Sequence, residues 1–248
     1  MGERNLTVHE LRHADGDFRV VVLGDVSDMH GNQPCAAVFG EPTDGCLVRI
    51  HSRCVYGEIF ESVDCDCRDQ LRQSMAMMRK AGSGVLIYLD QEGRGAGLLA
   101  KALGYQLTQS NRNIDTFESY RKLGLPEDSR TYEDAVAILR SLNLKRVRLL
   151  TNNPAKVAAL STTDFLVDQQ PFLVRGQSPE ARRYLAAKAR YGHTIPLTDL
   201  ESPWDRVRRL VRRLVPARQP AEVVELPVHA VEQLEQQPVA AAPTDMVS

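Results

Sequence analysis

The chain has 248 residues, with 31 Lys and Arg against 32 Asp and Glu, and a formal net charge of −1. Its hydrophobic content of 43% excludes a protein that is disordered throughout, because a core can form. No apolar run approaches the roughly 20 residues of a membrane span. The near-neutral charge argues against a protein that binds nucleic acid over its whole surface, but it leaves a local basic pocket open. The start of the chain lacks the apolar core of a signal peptide. We therefore expect a cytoplasmic protein with neither a membrane nor a nucleic-acid partner.

The apolar pattern predicts alternating strands and helices. Short apolar runs predict strands over residues 18–23, 35–39, 46–50, 85–89 and 147–150. Residues 40–45 predict a turn or hairpin between two of them. Helical periodicity predicts helices over residues 68–80, 98–107, 131–142 and 154–160. This order predicts an α/β fold with a mixed β-sheet and flanking helices over residues 5–197, with ligand groups at the carboxyl ends of strands.

The composition changes after residue 197. Residues 198–220 predict a basic amphipathic helix and linker, in which Trp204, Val207, Val211 and Leu214 share one face. Its arginines indicate either a surface for a partner, nucleic acid or anionic membrane, or the solvated face of a helix packed on its own domain. Residues 221–248 have no Lys or Arg and are predicted to be mostly disordered.

Five cysteines, the only ones in the chain, lie within 33 residues. Cys54, Cys65 and Cys67 have a C-x10-C-x-C spacing, and three thiolates from one short segment can meet at a zinc ion. Three interpretations remain open: a structural zinc site completed by His51, a catalytic site with one open position, or thiols without metal. Cys35 and Cys46 lie in apolar runs and are predicted to be core thiols.

Further motifs follow in order: Arg49-Ile50-His51-Ser52-Arg53-Cys54, Asp64-Cys65-Asp66-Cys67, Gln91-Glu92-Gly93-Arg94-Gly95-Ala96-Gly97, Leu123-Gly124-Leu125-Pro126-Glu127-Asp128-Ser129-Arg130 and Leu149-Leu150-Thr151-Asn152-Asn153-Pro154-Ala155-Lys156. Together they resemble GTP cyclohydrolase II, the zinc enzyme that opens riboflavin biosynthesis. The resemblance covers about residues 21–196, so we expect residues 1–197 to be a catalytic domain of this type.

The resemblance implies one zinc ion per chain, magnesium with the triphosphate, GTP as substrate and a homodimer. It assigns the metal to Cys54, Cys65 and Cys67, and catalysis to Tyr105, Asp128 as proton acceptor and Arg130 as nucleophile toward the α-phosphorus. Guanidinium chemistry instead favours Arg130 as a stabiliser of charge. The implied substrate contacts are Arg49, Ile50, His51, Ser52, Arg53, Gln70, Glu92, Gly93, Arg94, Thr116, Thr151 and Lys156.

Residue chemistry agrees with several of these roles. Arg49, Arg94, Arg130 and Lys156 could clamp a triphosphate. The Glu92 carboxylate could accept hydrogen bonds from the N1 and 2-amino groups of guanine.

The chain also departs from the family pattern. Arg53 replaces a glutamate, Glu118-Ser119-Tyr120 replaces an acidic–Ala–Asn run, and residues 108–113 are slightly longer than usual. These changes indicate a divergent paralogue. The alternatives are an enzyme that stops at the formamidopyrimidine, a zinc- and GTP-binding protein without turnover, and a zinc-knuckle RNA binder, which the lack of interleaved aromatic residues disfavours.

Overall fold

In the computed structural model, which describes residues 5–25, 33–172 and 178–195, seven strands form one mixed sheet. In chain order the strands are β1 (Leu6–Leu11), β2 (Phe18–Leu23), β3 (Cys35–Phe39), β4 (Cys46–Ser52), β5 (Gly84–Leu89), β6 (Arg146–Leu150) and β7 (Leu166–Gln170). Their order across the sheet is β1-β2-β3-β5-β4-β6-β7. The α/β class and the mixed sheet are therefore as predicted.

Half of the sheet is parallel, and this half positions the site. Strand β4 pairs in parallel with β5 and β6, and β6 pairs in parallel with β7, whereas β1, β2 and β3 are antiparallel to their neighbours. Ser52 pairs with Leu89 at the ends of β4 and β5. The carboxyl ends of four parallel strands therefore meet at one edge, where ligand groups collect in α/β proteins.

Seven α-helices and one 3-10 turn accompany these strands within the described residues, and the last helix follows β7. They are α1 (Val55–Glu58), α2 (Cys67–Ala81), the 3-10 turn (Glu92–Gly95), α3 (Gly97–Ser110), α4 (Thr116–Lys122), α5 (Glu133–Ser141), α6 (Pro154–Ser161) and α7 (Pro179–Arg190). Side chains cap several helix starts. Asp115 accepts hydrogen bonds from two amides at the start of α4, and Asn153 and Ser178 do the same for one amide each at α6 and α7.

The sheet is covered on both faces. Val48, Ile50 and Ile87 face one side, where they pack with α5 residues, whereas Leu47 and Leu86 face the other side and pack with Met78 of α2. Successive side chains of a strand point to opposite faces, so the apolar runs of β4 and β5 serve two cores at once.

The structure corrects some expectations. A hairpin between residues 35–39 and 46–50 is wrong, because β5 lies between β3 and β4 in the sheet. Strands β1 and β7 and helices α1, α4 and α7 were not predicted. Cys46 is buried as expected, while Cys35 is only half-buried. The predicted basic helix and tail lie outside the described residues. Among those described, no helix has the length and hydrophobicity that a bilayer crossing requires.

Candidate active site

Three cysteine sulfurs meet just beyond the ends of β4 and β5. The Sγ atoms of Cys54, Cys65 and Cys67 lie within 4.8 Å of one another, and those of Cys54 and Cys65 are 3.7 Å apart. Cys54 directly precedes α1, and Cys67 is the first residue of α2. Hydrogen bonds from the Cys65 and Cys67 thiols lower the pKa of Cys54. Two helix starts and the loop between them thus bring these thiols together.

The cysteine cluster fits a tetrahedral zinc ion. Zinc bonds of about 2.3 Å to two sulfurs place those sulfurs about 3.8 Å apart in a tetrahedron, close to the distance between Cys54 and Cys65. Gly57 leaves space beside the sulfurs, because a Cβ atom there would lie 2.9 Å from the Cys65 Sγ and 3.4 Å from the Cys54 Sγ. Three soft thiolates also match the ligand preference of zinc.

His51 is committed to another partner. Its Nε2 lies 2.8 Å from the Glu58 Oε1, and its ring stacks on Tyr88 at 5.9 Å between centroids. The Tyr88 hydroxyl donates to the other Glu58 oxygen at 2.7 Å. Among the described residues, the group of candidate metal ligands holds the three cysteines alone. His51 is thus outside the cluster, which argues against the interpretation in which it completes a structural zinc site.

Cations line the cavity that the sulfurs face, which has a volume of about 980 Å³. Arg49 donates to the Leu150 carbonyl at 2.8 Å, and Lys156 donates to the Ile50 carbonyl at 2.9 Å. Both side chains are buried. Burial lowers the pKa of Arg49 to about 10, and burial together with Arg49 and Arg130 lowers that of Lys156 well below its usual value.

A third cation, Arg94, lies in a backbone turn of unusual geometry. Gly93 and Arg94 both have positive φ, at 57° and 55°, a region that costs energy for a residue other than glycine. Contacts offset this cost: the guanidinium donates to the Thr116 carbonyl at 3.1 Å and to its Oγ1 at 3.0 Å. It also stacks 3.5 Å from the Phe117 ring centroid. The strained turn therefore holds Arg94 toward the cavity.

Within the described residues, Arg49, Arg94 and Lys156 have no carboxylate at salt-bridge distance. Arg49 and Lys156 are also buried, and burial of uncompensated cations is costly. Four of the five buried polar atoms that have no hydrogen-bond partner in the described part of the chain also belong to cavity-lining side chains: the Arg49 Nε, His51 Nδ1, Ser52 Oγ and Gln91 Oε1. Such atoms call for a ligand or water. The cavity is thus prepared for a polar, highly anionic molecule.

Sequence comparisons identify the family. The family model described as GTP cyclohydrolase II matches residues 3–171. The chain belongs to the GTP cyclohydrolase II family. It is 40% identical over 185 residues to a riboflavin biosynthesis protein RibBA of Bacillus mycoides, covering 73% of this chain and 46% of that protein. It is 41% identical over 170 residues to a GTP cyclohydrolase-2 of Xylella fastidiosa, covering 66% and 42%.

The chain therefore spans less than half the length of these relatives. Among solved structures, one of RibBX, a two-domain 3,4-dihydroxy-2-butanone 4-phosphate synthase from A. baumannii, is similar with a TM-score of 0.39 and 20% identity. That match covers 68% of this chain and 40% of that one. A similarity of this size carries no argument about the site.

The structure brings most of the residues implied by the GTP cyclohydrolase II family into one cavity. Sixteen of the eighteen line it, and the exceptions are Ile50 and Asp128. The Ile50 side chain is fully buried in the sheet core, and its carbonyl holds Lys156. Asp128 lies behind Arg130, which donates to its two oxygens at 2.8 and 2.5 Å. This bidentate pairing lowers the pKa of Asp128 despite its burial.

The Glu92 carboxylate already accepts three hydrogen bonds within the chain, which the sequence did not suggest. Its Oε2 accepts from the Val55 amide at 2.7 Å, and its Oε1 accepts from the Lys101 Nζ at 2.6 Å and from the Gly93 amide at 3.2 Å. The carboxylate therefore joins the segment after β4 to the turn after β5. Recognition of guanine by Glu92 remains a prediction, and would use the remaining acceptor capacity of Oε2.

Other residues of the site were not singled out from the sequence. Asp66, between two of the cysteines, accepts from Lys188 at 3.1 Å and from the Gln70 Nε2 at 2.5 Å, and Gln70 in turn accepts from Arg49. This network ties α7 to the cysteine loop. Also missed were Gly57, Lys101, Tyr184 and His193. A signal existed for Lys101, which lies one helical turn before Tyr105 on α3.

Arg53, where the family pattern has glutamate, has a compensating partner. Its Nη1 donates to Asp90 at 2.8 Å, and its backbone amide donates to the Leu89 carbonyl at 2.9 Å. The reversed charge beside Cys54 is therefore neutralised within the chain, across the ends of β4 and β5.

We expect Arg53→Glu to lower kcat/KM roughly fivefold, because it places two carboxylates beside Cys54 and pairs of this exposure contribute up to about 1 kcal/mol. The double variant Arg53→Glu/Asp90→Arg restores opposite charges and should regain wild-type kcat/KM within about twofold. Steady-state kinetics on the four proteins of this double-mutant cycle measure the coupling. Strictly additive effects of the two substitutions would contradict it.

His193 predicts a pH dependence of stability. Burial and the nearby cations Lys188, Arg130, Lys156 and Arg94 lower its pKa to about 3, against about 6.5 in an unfolded chain. Between these values the unfolded state binds a proton that the native state does not, so stability falls as the pH falls. From pH 7.5 to 5 this group should cost about 2 kcal/mol of unfolding free energy.

Urea unfolding of the wild type and of His193→Asn at the two pH values measures this dependence. Between pH 7.5 and 5, the unfolding free energy of His193→Asn should fall by about 2 kcal/mol less than that of the wild type. Equal losses in the two proteins would show that His193 does not contribute.

Proposed function

We propose that this chain catalyses the zinc-dependent hydrolysis of GTP. The imidazole ring opens at C8, formate and pyrophosphate are released, and the product is 2,5-diamino-6-ribosylamino-4(3H)-pyrimidinone 5′-phosphate. One observation carries the proposal: three cysteine sulfurs that could hold a metal and three cations without a carboxylate partner among the described residues face the same cavity. Of these cations Arg49 and Lys156 are buried and Arg94 is half-buried. A nucleoside triphosphate supplies both the ring that a metal-activated nucleophile attacks and the negative charge that the cations lack.

The phosphate end of GTP is assigned to the cationic side of the cavity. Arg94 and Arg130 present planar guanidinium groups, which suit bidentate binding of phosphate oxygens, and Lys156 adds a buried point charge. Magnesium bridging the phosphate oxygens would neutralise the remaining charge. Arg49, fixed by Leu150 and Gln70, lies between this side and the cysteine loop.

The purine end is assigned to the cysteine side. Zinc held by Cys54, Cys65 and Cys67 would supply Lewis acidity that makes water a nucleophile at neutral pH. Tyr105 lines this side, and its ring meets Tyr56 edge-on with 5.1 Å between centroids. Burial raises the pKa of Tyr105, so its hydroxyl remains a proton donor at neutral pH.

Arg130 and Asp128 are assigned to the cleavage at the α-phosphate. The pairing lowers the pKa of Asp128 and, despite burial, raises that of Arg130. A permanently charged guanidinium is suited to stabilising negative charge that develops on phosphate oxygens. Asp128 orients it through two parallel hydrogen bonds and would accept a proton only after this pairing loosens.

A second candidate is a paralogue that stops at the formamidopyrimidine product. A Cβ atom added to Gly93 would lie only 2.9 Å from the Tyr120 hydroxyl. The divergent segment 118–120 therefore packs directly behind the strained turn. The two departures from the family pattern, Arg53 and segment 118–120, thus both lie near residues around Glu92. The third candidate, a zinc- and GTP-binding protein without turnover, uses the same cavity.

We also propose a homodimer in the cytoplasm. Six large apolar side chains are 39–75% exposed on two adjoining segments: Ile59, Phe60, Val63, Leu98, Leu99 and Leu103. Tyr56 links the segments, since its ring contacts both Phe60 and Tyr105. Burial of this surface against a second copy would remove it from water. A reducing compartment keeps the cysteine thiols available for metal. Light scattering of the purified protein tests for a dimer.

The function is tested by incubation of the purified, zinc-loaded chain with GTP and magnesium. Formate, pyrophosphate and the diaminopyrimidine are then quantified. Equal amounts of the three products support the full reaction, and pyrophosphate without formate selects the formamidopyrimidine enzyme. Unchanged GTP that remains bound to the protein selects the non-catalytic candidate and refutes the proposed activity.

A further inference from the structure

Lys101 forms the one contact between an ammonium group and the cysteine cluster within the described residues. It lies on α3, its side chain is 12% exposed, and its Nζ donates to the Cys54 Sγ at 3.1 Å. The same Nζ donates to the Glu92 Oε1 at 2.6 Å and lies 4.6 Å from the Tyr56 ring centroid. One largely buried cation is thus shared by a predicted metal ligand and by the carboxylate of the strained turn.

These contacts connect the two segments that build the purine side of the cavity. Cys54 follows β4, and Glu92 follows β5. The Val55 amide makes a second connection, through its hydrogen bond to the Glu92 Oε2 at 2.7 Å. Without Lys101, Glu92 would be a buried carboxylate held only by backbone amides, and Cys54 would keep only its hydrogen bond from the Gly57 amide at 3.4 Å and its contacts with the other thiols.

The charge of the site explains why an ammonium is placed here. Three thiolates exceed the charge of a divalent zinc ion by one, and Glu92 adds another negative group. A charge-assisted hydrogen bond to sulfur draws electron density away from the metal, which increases its Lewis acidity. A neutral side chain of equal length would fill the same space without this effect.

We propose that Lys101 is a positioning residue of the reaction, an inference that rests on the proposed function. Its ammonium fixes the Cys54 thiolate and the Glu92 carboxylate in one arrangement and limits the electron donation of the Cys54 sulfur to the metal. Partners of metal ligands in such positions typically contribute roughly 10- to 100-fold to metal affinity or activity.

The test uses Lys101→Met in the full chain, with cobalt(II) replacing zinc. Methionine keeps the length of the apolar stem and removes the charge and the donors. Loss of a hydrogen bond to a coordinated thiolate raises the energy of the sulfur lone pairs, so the thiolate-to-cobalt absorption band should move to longer wavelength. With zinc, kcat/KM for GTP should fall roughly 10- to 100-fold.

Two further variants separate positioning from folding. Lys101→Arg keeps a charged donor and should return the band most of the way to the wild-type wavelength. Lys101→Met/Glu92→Gln removes the stranded buried carboxylate, so it should recover thermal stability yet retain the shifted band. The matched control is Lys122→Met on α4, where an exposed lysine pairs with Glu118 at 3.7 Å. This control should leave both the spectrum and kcat/KM unchanged.

The outcomes are distinct. An unshifted cobalt band in Lys101→Met would overturn the contact with sulfur, whatever the protein catalyses. A shifted band with an unchanged kcat/KM would overturn the positioning role. A zinc-loaded wild type that does not turn over GTP would refute the proposed function, and the band shift in the cobalt form would still support the contact between Lys101 and Cys54.

Discussion

Cys65→Ser should reduce bound zinc from one ion per chain to a small fraction and abolish ring opening. Serine cannot supply the soft thiolate that zinc favours, and two remaining sulfurs form a much weaker site. Because metal activation of water contributes several kcal/mol to such hydrolyses, we expect kcat/KM to fall roughly a thousandfold or more. Metal analysis after gel filtration and the formate assay measure the two effects.

The matched control is Cys35→Ser, because Cys35 is half-buried in β3 and outside the cysteine cluster. It should keep both zinc and activity. If Cys65→Ser retained wild-type activity, the metal would have no part in the reaction. Loss of zinc with preserved cooperative unfolding would also argue against a purely structural metal, whose binding contributes directly to folding.

Arg130→Ala should be the most damaging change on the phosphate side. It removes the guanidinium that Asp128 aligns and leaves that carboxylate without its bidentate partner. Removal of one group that stabilises developing charge typically costs about 100- to 1,000-fold in kcat, so we expect pyrophosphate release to fall by that factor. The KM for GTP should change less, since Arg94 and Lys156, which are also proposed to bind phosphate, remain in place.

Arg140→Ala provides the control for this substitution. Arg140 of α5 also pairs with an aspartate, since it donates to one oxygen of Asp164 at 2.7 and 3.3 Å, but this pair lies on the exposed surface. It should leave kcat unchanged, because exposed pairs contribute little. If kcat fell by less than about fivefold in Arg130→Ala, this result would contradict the proposal that Arg130 stabilises the transition state.

The departure at Arg53 illustrates the limit of a sequence pattern. A glutamate-to-arginine change beside a metal ligand suggests altered electrostatics when it is considered alone. In the folded chain the partner is Asp90, which lies 37 positions away along the chain but adjacent in space, because β4 and β5 pair in parallel. The effect of the change therefore depends on a contact that only the sheet creates.

Features that depend on short spacing could be predicted from the amino-acid order alone. Apolar runs and helical periodicity located β2 to β6 and helices α2, α3, α5 and α6, because strand alternation and helical turns repeat every few residues. The spacing of Cys54, Cys65 and Cys67 likewise indicated that three sulfurs can meet, and they lie within 4.8 Å of one another in the structure. Edge strands β1 and β7 were missed because their exposed side chains give no apolar run.

Contacts between residues that are distant in the chain could be identified only in the folded domain. The insertion of β5 between β3 and β4, the sharing of Lys101 by Cys54 and Glu92, and the pairing of Asp66 with Lys188, 122 positions apart, all depend on packing of the whole domain. Burial in that packing also sets the pKa shifts of Lys156 and His193. Such contacts depend on the path of the backbone through space, which local sequence patterns do not encode.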